Sequence, residues 1–326
     1  GSIDLNAGTD LLIDNDVTVS TVGSGAITGD AVRSIAISSS AATTTIQSVS
    51  GNITLTANRG GAAVTGDFTG ISIDDAIVTA TTGNISLDGR GGDTAGTNRG
   101  IALTSGTVVS TTGAGSGTIT FDGDGVSGGG DGIFIDGTGT QVTSVDGNII
   151  LTGDGVDADG VGIRGGAVVS STGNATITLI GNGEVDGVFI NTTGSQVTSV
   201  TGDISITGTS TDNDGVAIAD GGAVVSTGTA LITIFGTANN ASASDGVEIE
   251  GGSISSGAGD ILITGLSSSQ HGIKLEDGGV VASTGAASIT INGTTTGVNG
   301  SGSDGISIED ADTQISSTGG SISLTG

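Results

Sequence analysis

An aspartate directly before a glycine recurs from residue 131 onward. We call these residues the aspartate column and leave two interpretations of it open. In the first, each side chain caps a backbone amide of a turn. In the second, the side chains bind metal ions. Stacked carboxylates repel one another, and Ca²⁺ ions between them would relieve that repulsion with the hard oxygen ligands that calcium prefers. The column predicts either role at Asp131, Asp159, Asp186, Asp214, Asp245 and Asp304. We place further oxygen ligands in the neighbouring loops, at Asp122, Asp124, Asp154 and Asp157.

Two pairs of adjacent acids, Asp74-Asp75 and Glu276-Asp277, are the other candidates for acid–base chemistry. Enzymes that cleave polysaccharides need paired carboxylates or a cationic base beside a cleft. Lys274 is the only basic residue near either pair, and His271, which replaces aspartate in the column, is the only histidine. One histidine without a cysteine builds neither a transition-metal cluster nor a Ser/His/Asp triad. We therefore expect that the chain is not an enzyme.

Two phenylalanines, Phe134 and Phe189, lie shortly after aspartates of the column. The alternation along the predicted strand gives both of them an outward position. The equivalent position in the turn between them is Gly162. One interpretation is local packing, in which both rings fold over the bare glycine backbone. The other is an exposed aromatic platform that contacts a glycan or a neighbouring fibre.

These residues lie in a repeat of about 30 residues. Residues 186–213 match residues 131–158 at sixteen of 28 positions. Each repeat holds three short segments in which apolar and polar residues alternate, separated by Gly, Asp and Asn, and this pattern predicts three β-strands joined by turns. One such unit cannot bury an apolar face alone, but stacked copies can. The sequence therefore predicts an all-β fold, a right-handed parallel β-helix (a β-solenoid) of about eleven turns.

The most regular strand of the repeat carries a β-branched residue followed two positions later by a small one. We predict that both point inward and form an aliphatic row and a mostly hydroxyl row. Buried hydroxyls require hydrogen-bond partners, either each other or the backbone. At four turns this prediction selects the first of two adjacent apolar residues for the aliphatic row, namely Ile77, Val108, Val168 and Val280.

Composition excludes several classes of protein. The net charge is −28, with 34 acidic and 6 basic residues, so nucleic acid and anionic membranes are not expected partners. The 65 glycines occur without any proline, which excludes collagen. There is no cysteine for disulfides, and no apolar run is long enough for membrane insertion in this segment. We expect residues 1–326 to form a single continuous solenoid, a segment of a longer fibre or a subunit that stacks.

Three segments carry a family resemblance: Gly-Asn-Ile-Thr-Leu-Thr at 51–56, Gly-Thr-Val-Val-Ser-Thr-Thr-Gly at 106–113 and Thr-Gln-Val-Thr-Ser-Val-Asp-Gly-Asn-Ile at 140–149. They resemble the repeats of filamentous-haemagglutinin-like exoproteins and related β-strand-repeat adhesins, which are giant bacterial surface proteins. The resemblance covers nearly the whole chain. It implies a right-handed parallel β-helix, export to the cell surface and a role as a stalk, fibre or adhesin.

We therefore expect an extracellular structural fibre, stalk or adhesin segment on a bacterial cell surface. Its expected partners are copies of itself stacked end to end, or a longer chain of the same repeats, and a host or matrix glycan. One alternative is a glycan-binding or polysaccharide-cleaving β-helix. Another is a calcium-stabilised surface-layer spacer, and calcium is the one cofactor that the sequence suggests.

Overall fold

The computed structural model describes residues 1–40, 43–61, 64–239, 244–297 and 302–326. These residues form 34 β-strands, which are arranged in three parallel sheets. Successive strands along the chain belong to sheet 1, sheet 2 and sheet 3 in turn, and each strand pairs with its counterparts in the turns before and after it. The predicted parallel β-helix is confirmed.

Sheet 1 contains twelve strands, whose register keeps equivalent residues side by side. They are β1 (Ile3–Ala7), β4 (Ile27–Ala31), β7 (Ile53–Ala57), β10 (Ile85–Arg90), β13 (Ile119–Asp124), β16 (Ile149–Asp154), β19 (Ile177–Gly183), β22 (Ile204–Ser210), β25 (Ile232–Ala238), β28 (Ile261–Ser267), β31 (Ile289–Thr295) and β34 (Ile322–Thr325).

Sheet 2 contains eleven strands, and the aspartate column lies in the turns that lead into them. They are β2 (Asp10–Ile13), β5 (Ser34–Ser38), β8 (Ile71–Asp74), β11 (Ile101–Thr104), β14 (Ile133–Asp136), β17 (Val161–Arg164), β20 (Val188–Asn191), β23 (Val216–Ala219), β26 (Val247–Glu250), β29 (Ile273–Glu276) and β32 (Ile306–Ile308).

Sheet 3 also contains eleven strands. They are β3 (Thr18–Ser20), β6 (Thr45–Ser48), β9 (Ile77–Ala80), β12 (Val108–Thr111), β15 (Gln141–Ser144), β18 (Val168–Ser171), β21 (Gln196–Ser199), β24 (Ala223–Ser226), β27 (Ser253–Ser256), β30 (Val280–Ser283) and β33 (Gln314–Ser317).

The core is a stack of aliphatic side chains along the axis of the solenoid. In β16, for example, Ile149 and Leu151 are fully buried and Ile150 between them points outward. Sheet 2 contributes a similar pair in each turn, such as Val161 and Ile163 in β17. The alternation of apolar and polar residues along each strand therefore places one side of every sheet in the core.

The predicted inward row of sheet 3 is wrong by one residue at four turns. It is wrong by two residues at the first turn, where Val17 is exposed and Val19 packs against the core. Val78, Val109, Val169 and Val281 are fully buried, whereas the preceding residues Ile77, Val108, Val168 and Val280 point outward. Both residues of each pair are β-branched and apolar, so composition does not fix which one faces the core. A shift of one residue exchanges the two faces of a strand, and the pairing with neighbouring turns selects the second residue.

A row of hydroxyl side chains lines the interior of sheet 3, which is the type of row that the sequence predicted. Ser199 Oγ donates to the carbonyl of Gly202 at 2.5 Å, and Thr111 Oγ1 donates to Ser144 Oγ at 2.8 Å. Ser226 and Ser283 are buried, and their hydroxyls have no hydrogen-bond partner among the described residues. Most members of the row therefore satisfy the requirement for a partner, usually through the turn that follows the strand.

Candidate functional site: the buried carboxylate column

The aspartate column lies at the turn that leads into sheet 2, and most of its side chains are buried. Asp131, Asp159, Asp186, Asp214 and Asp245 are all less than 5% exposed. Asp304 differs, because its side chain is 63% exposed. His271 continues the column between Asp245 and Asp304 and is buried.

Each of the five buried carboxylates in the column accepts a hydrogen bond from a backbone N–H of the next turn. Asp186 Oδ1 accepts the N–H of Asp214 at 3.1 Å, and Asp214 Oδ1 accepts the N–H of Asp245 at 2.6 Å. The same bond links Asp131 to Asp159, Asp159 to Asp186, and Asp245 to His271. At the end of the column, His271 Nδ1 accepts the N–H of Asp304 at 3.3 Å. The side chains thus satisfy buried amides that point along the axis, where no strand provides an acceptor.

Two arginines neutralise the first part of the column. Arg99 Nε donates to Asp131 Oδ2 at 3.0 Å, and the Arg164 guanidinium forms an ion pair with Asp159 and lies 3.7 Å from Asp131 Oδ1. Burial raises the pKa of Asp159 to about 6, although the Arg164 charge opposes that increase. Neither arginine was assigned a role from the sequence. Only Arg99 had a signal in the sequence, because it occupies the column position one turn before Asp131.

The two predicted phenylalanines pack beneath these guanidinium groups. Arg99 Cζ lies 3.6 Å from the centre of the Phe134 ring, and Phe134 is only 9% exposed. Arg164 Cζ lies 5.6 Å from the Phe134 ring and 5.0 Å from the Phe189 ring. Gly162 separates the two rings in the sheet, as expected. Arg164, and not either ring, covers this glycine. The packing is therefore local, but it is a cation–π stack in which the arginine contacts both rings, instead of two rings folded over the glycine. A ligand role for Phe134 and Phe189 stays a prediction.

The middle of the column, Asp186 and Asp214, forms no ion pair with a basic residue in the described ranges. Burial raises the pKa of Asp186 to about 7, and the charge of Asp159 adds to this effect. Asn213 Nδ2 donates to Asp186 Oδ1 at 2.8 Å. Burial raises the pKa of Asp214 to about 10, and the charges of Glu248 and Asp186 raise it further. Asp214 is therefore protonated at neutral pH.

Glu248 is the partner of protonated Asp214. It projects from β26, where it occupies the outward position next to Ala217 of β23. Burial raises the pKa of Glu248 to about 7, and the hydrogen bond from Asp214 partly offsets this increase. On its other side, Glu248 Oε1 lies 3.6 Å from Lys274 Nζ, which also forms an ion pair with Glu276 at 2.5 Å. Burial disfavours the charged form of Lys274, but its acidic neighbours outweigh burial and raise its pKa.

The candidate acid pairs form no shared site. Asp74 Oδ1 accepts a hydrogen bond from Thr104 Oγ1 at 2.7 Å, whereas Asp75 occupies a turn with φ of 51°. Glu276 binds Lys274, and Asp277 again lies in a turn, with φ of 49°. Aspartate tolerates this left-handed conformation better than most residues. Both second acids therefore have a role in turn geometry.

The additional loop ligands are mostly not in loops. Asp122 and Asp124 belong to β13, and Asp154 ends β16. The predicted loop position of these three residues is wrong, because the strands of sheet 1 extend further than their apolar residues indicate. Arg59 lies against the outer face of this sheet and contacts Asp88, Asp122 and Asp124. Only Asp157 lies outside the strands.

The described residues contain no group of three or more His, Asp or Glu side chains arranged to hold a metal ion. In the column, one oxygen of each buried carboxylate already accepts a backbone amide. This geometry favours the amide-capping alternative. Calcium binding by Asp131, Asp159, Asp186, Asp214, Asp245 and Asp304 stays a prediction.

Comparisons of the chain with protein-family models, curated proteins and solved structures found no match. Within the described ranges, no helix is long and apolar enough to cross a membrane.

Proposed function

We propose that this chain is a rigid rod that acts as a stalk, fibre or adhesin segment on a bacterial cell surface. The observation that supports the proposal most directly is the unbroken order of all three sheets. Every turn bonds to the next through three parallel ladders, so bending or stretching the rod requires many hydrogen bonds to break together. Eleven turns at about 4.8 Å per strand give a length of about 50 Å.

The rod is also built so that it can be extended. The first three strands lie at one end of the sheets and the last three at the other. A further turn, from the same chain or from another copy, would continue the same hydrogen-bond pattern at either edge. Contacts of this head-to-tail kind do not close and generate fibres.

Electron microscopy of the native material, with the intact mass of the chain measured on the same sample, tests this proposal. Long uniform filaments built from a chain of 326 residues would support end-to-end assembly. Filaments built from a much larger chain would support a covalent stalk. Isolated short rods of this chain alone would overturn the fibre proposal.

A further inference from the structure

Five neighbouring strands of sheet 1, β19, β22, β25, β28 and β31, are each seven residues long. Each presents three outward side chains, and the strand register aligns them into a grid of five rows and three columns. We call this grid the hydroxyl face. Its members are Thr178, Ile180 and Asn182; Ser205, Thr207 and Thr209; Thr233, Phe235 and Thr237; Leu262, Thr264 and Leu266; Thr290, Asn292 and Thr294.

The hydroxyl face carries no charged residue, although the chain has a net charge of −28. Earlier strands of the same sheet do carry charges at equivalent positions, including Asp88, Asp122 and Asp124. The uncharged grid is therefore a local property of these five strands and not of sheet 1 as a whole. A partner therefore does not need to carry a charge in order to bind this face.

Nine of the fifteen side chains are Thr or Ser, and their hydroxyls are available to a partner. None of the nine forms a side-chain hydrogen bond with another group in the described parts of the chain. Hydroxyls elsewhere commonly bind the protein itself, as Ser199 does with the Gly202 carbonyl. The face thus offers a regular array of donors and acceptors, about 4.8 Å apart across strands and about 6.6 Å apart along them.

Phe235 occupies the centre of this grid, in its middle row and middle column. It is 40% exposed. Thr233 and Thr237 flank it on its own strand, and Thr207 and Thr264 flank it on the neighbouring strands. An aromatic ring with hydroxyls on all four sides combines an apolar contact with polar groups that fix orientation.

We propose that the hydroxyl face binds a neutral polysaccharide, with one sugar ring stacked on Phe235. The C–H face of a pyranose matches the phenyl ring, and the hydroxyls at the edge of the sugar reach the four surrounding threonines. An anionic polysaccharide is disfavoured, because the whole chain is strongly acidic.

The size of the face distinguishes this partner from a second copy of the chain. Four strand spacings by two steps along a strand give roughly 19 by 13 Å, or about 250 Å², from the strand dimensions. A stable protein dimer buries about 800 Å² on each partner. The face is too small for such a dimer, but it is long enough for a few consecutive sugars.

The inference names a partner for the rod proposed above, and the two proposals are tested separately, by binding and by filament mass. The binding experiment is co-sedimentation of the full chain with insoluble cellulose, chitin and β-1,3-glucan, with pectate as the anionic comparison. We expect retention on at least one neutral polysaccharide. Phe235→Ala should weaken binding roughly tenfold or more, as for a central aromatic contact, whereas Phe235→Trp should keep it.

A second variant tests the array independently of the ring. Thr264→Lys places a long side chain beside Phe235 and should also weaken binding at least tenfold. Its matched control is Thr198→Lys, an outward threonine of β21 in sheet 3, which should bind like the wild type. Circular dichroism spectra of all variants establish that the fold is intact.

Three results would overturn the inference. One is the absence of binding by the wild type to every neutral polysaccharide. Another is binding that Phe235→Ala and Thr264→Lys leave unchanged. The third is a Phe235-dependent change in molar mass by light scattering, or in ice-crystal growth, without polysaccharide binding, which would assign the face to a second copy or to ice.

Discussion

Asp214 donates a hydrogen bond to Glu248 across one turn of the solenoid, so two acidic residues share a proton in a buried site. This contact lies between two regions where basic residues balance the acids, around Arg164 on one side and Lys274 on the other. Between them, Asp186 and Asp214 have no basic ion-pair partner in the described part of the chain, so burial shifts both acids towards the uncharged form.

Raising the pH should destabilise the protein through this middle region. The pKa values of Asp186 and Glu248 are raised to about 7 and that of Asp214 to about 10, so the folded state holds more protons than the unfolded state. Stability is therefore lost progressively as the pH rises from about 4, where the unfolded acids titrate, to and beyond 7. Thermal unfolding between pH 4 and pH 9 measures this trend.

Asp214→Asn should reduce that pH dependence. The asparagine carbonyl can still accept the Asp245 amide, and its side-chain N–H can replace the proton shared with Glu248. We expect the free energy of unfolding at pH 8 to rise by about 2 kcal/mol and to change little at pH 4. Asp30→Asn, on the exposed face of β4, is the matched control. Equal pH profiles for wild type and Asp214→Asn would contradict the protonated assignment.

Arg164→Ala should be among the more damaging surface substitutions. It leaves Asp159 buried without its ion-pair partner and removes the cation that contacts both Phe134 and Phe189. We expect a loss of about 3 kcal/mol in the free energy of unfolding, measured by denaturant titration. The double variant with Asp159→Asn should recover part of that loss. Arg33→Ala, which breaks a solvent-exposed pair with Asp10, should destabilise the protein much less than Arg164→Ala, because solvent screens the exposed pair.

Gly208→Ala should destabilise the junction between sheets 1 and 2. A Cβ at this position would overlap the carbonyl oxygen of Gly215 and would lie 2.8 Å from a Val216 methyl group. Because the obstacle is backbone, we expect a loss of about 3 kcal/mol or a failure to fold. A Cβ on Gly8 would meet nothing within 4 Å, so Gly8→Ala should have the stability of the wild type. Comparable stability of both variants would show that the junction can relax.

Chelation should leave the melting temperature unchanged. In the column, Asp131, Asp159, Asp186, Asp214 and Asp245 each accept a backbone amide, and this contact does not require a metal ion. Thermal unfolding with excess EGTA and with added Ca²⁺ distinguishes the two roles of the column. A decrease of several degrees with EGTA would support the calcium-stabilised spacer instead.

The architecture could be predicted because it depends on periodic properties of the sequence. A repeat of about 30 residues with three alternating segments has few ways to bury its apolar residues, and stacking the turns is the simplest of them. The aspartates before glycine also mark the turns in the sequence itself. For this reason the parallel sheets and the column itself were predicted, together with the position of Gly162 between Phe134 and Phe189.

Only the tertiary structure determines which side chains contact one another. In Val168-Val169 both residues favour a strand, and only pairing with adjacent turns sets the inward one. Arg99 reaches Asp131 and Glu248 reaches Asp214 across stacked turns, and no local pattern links such distant residues. The protonation of Asp214 and the central position of Phe235 follow from these neighbours, because burial and register are properties of the stacked turns and not of a single repeat.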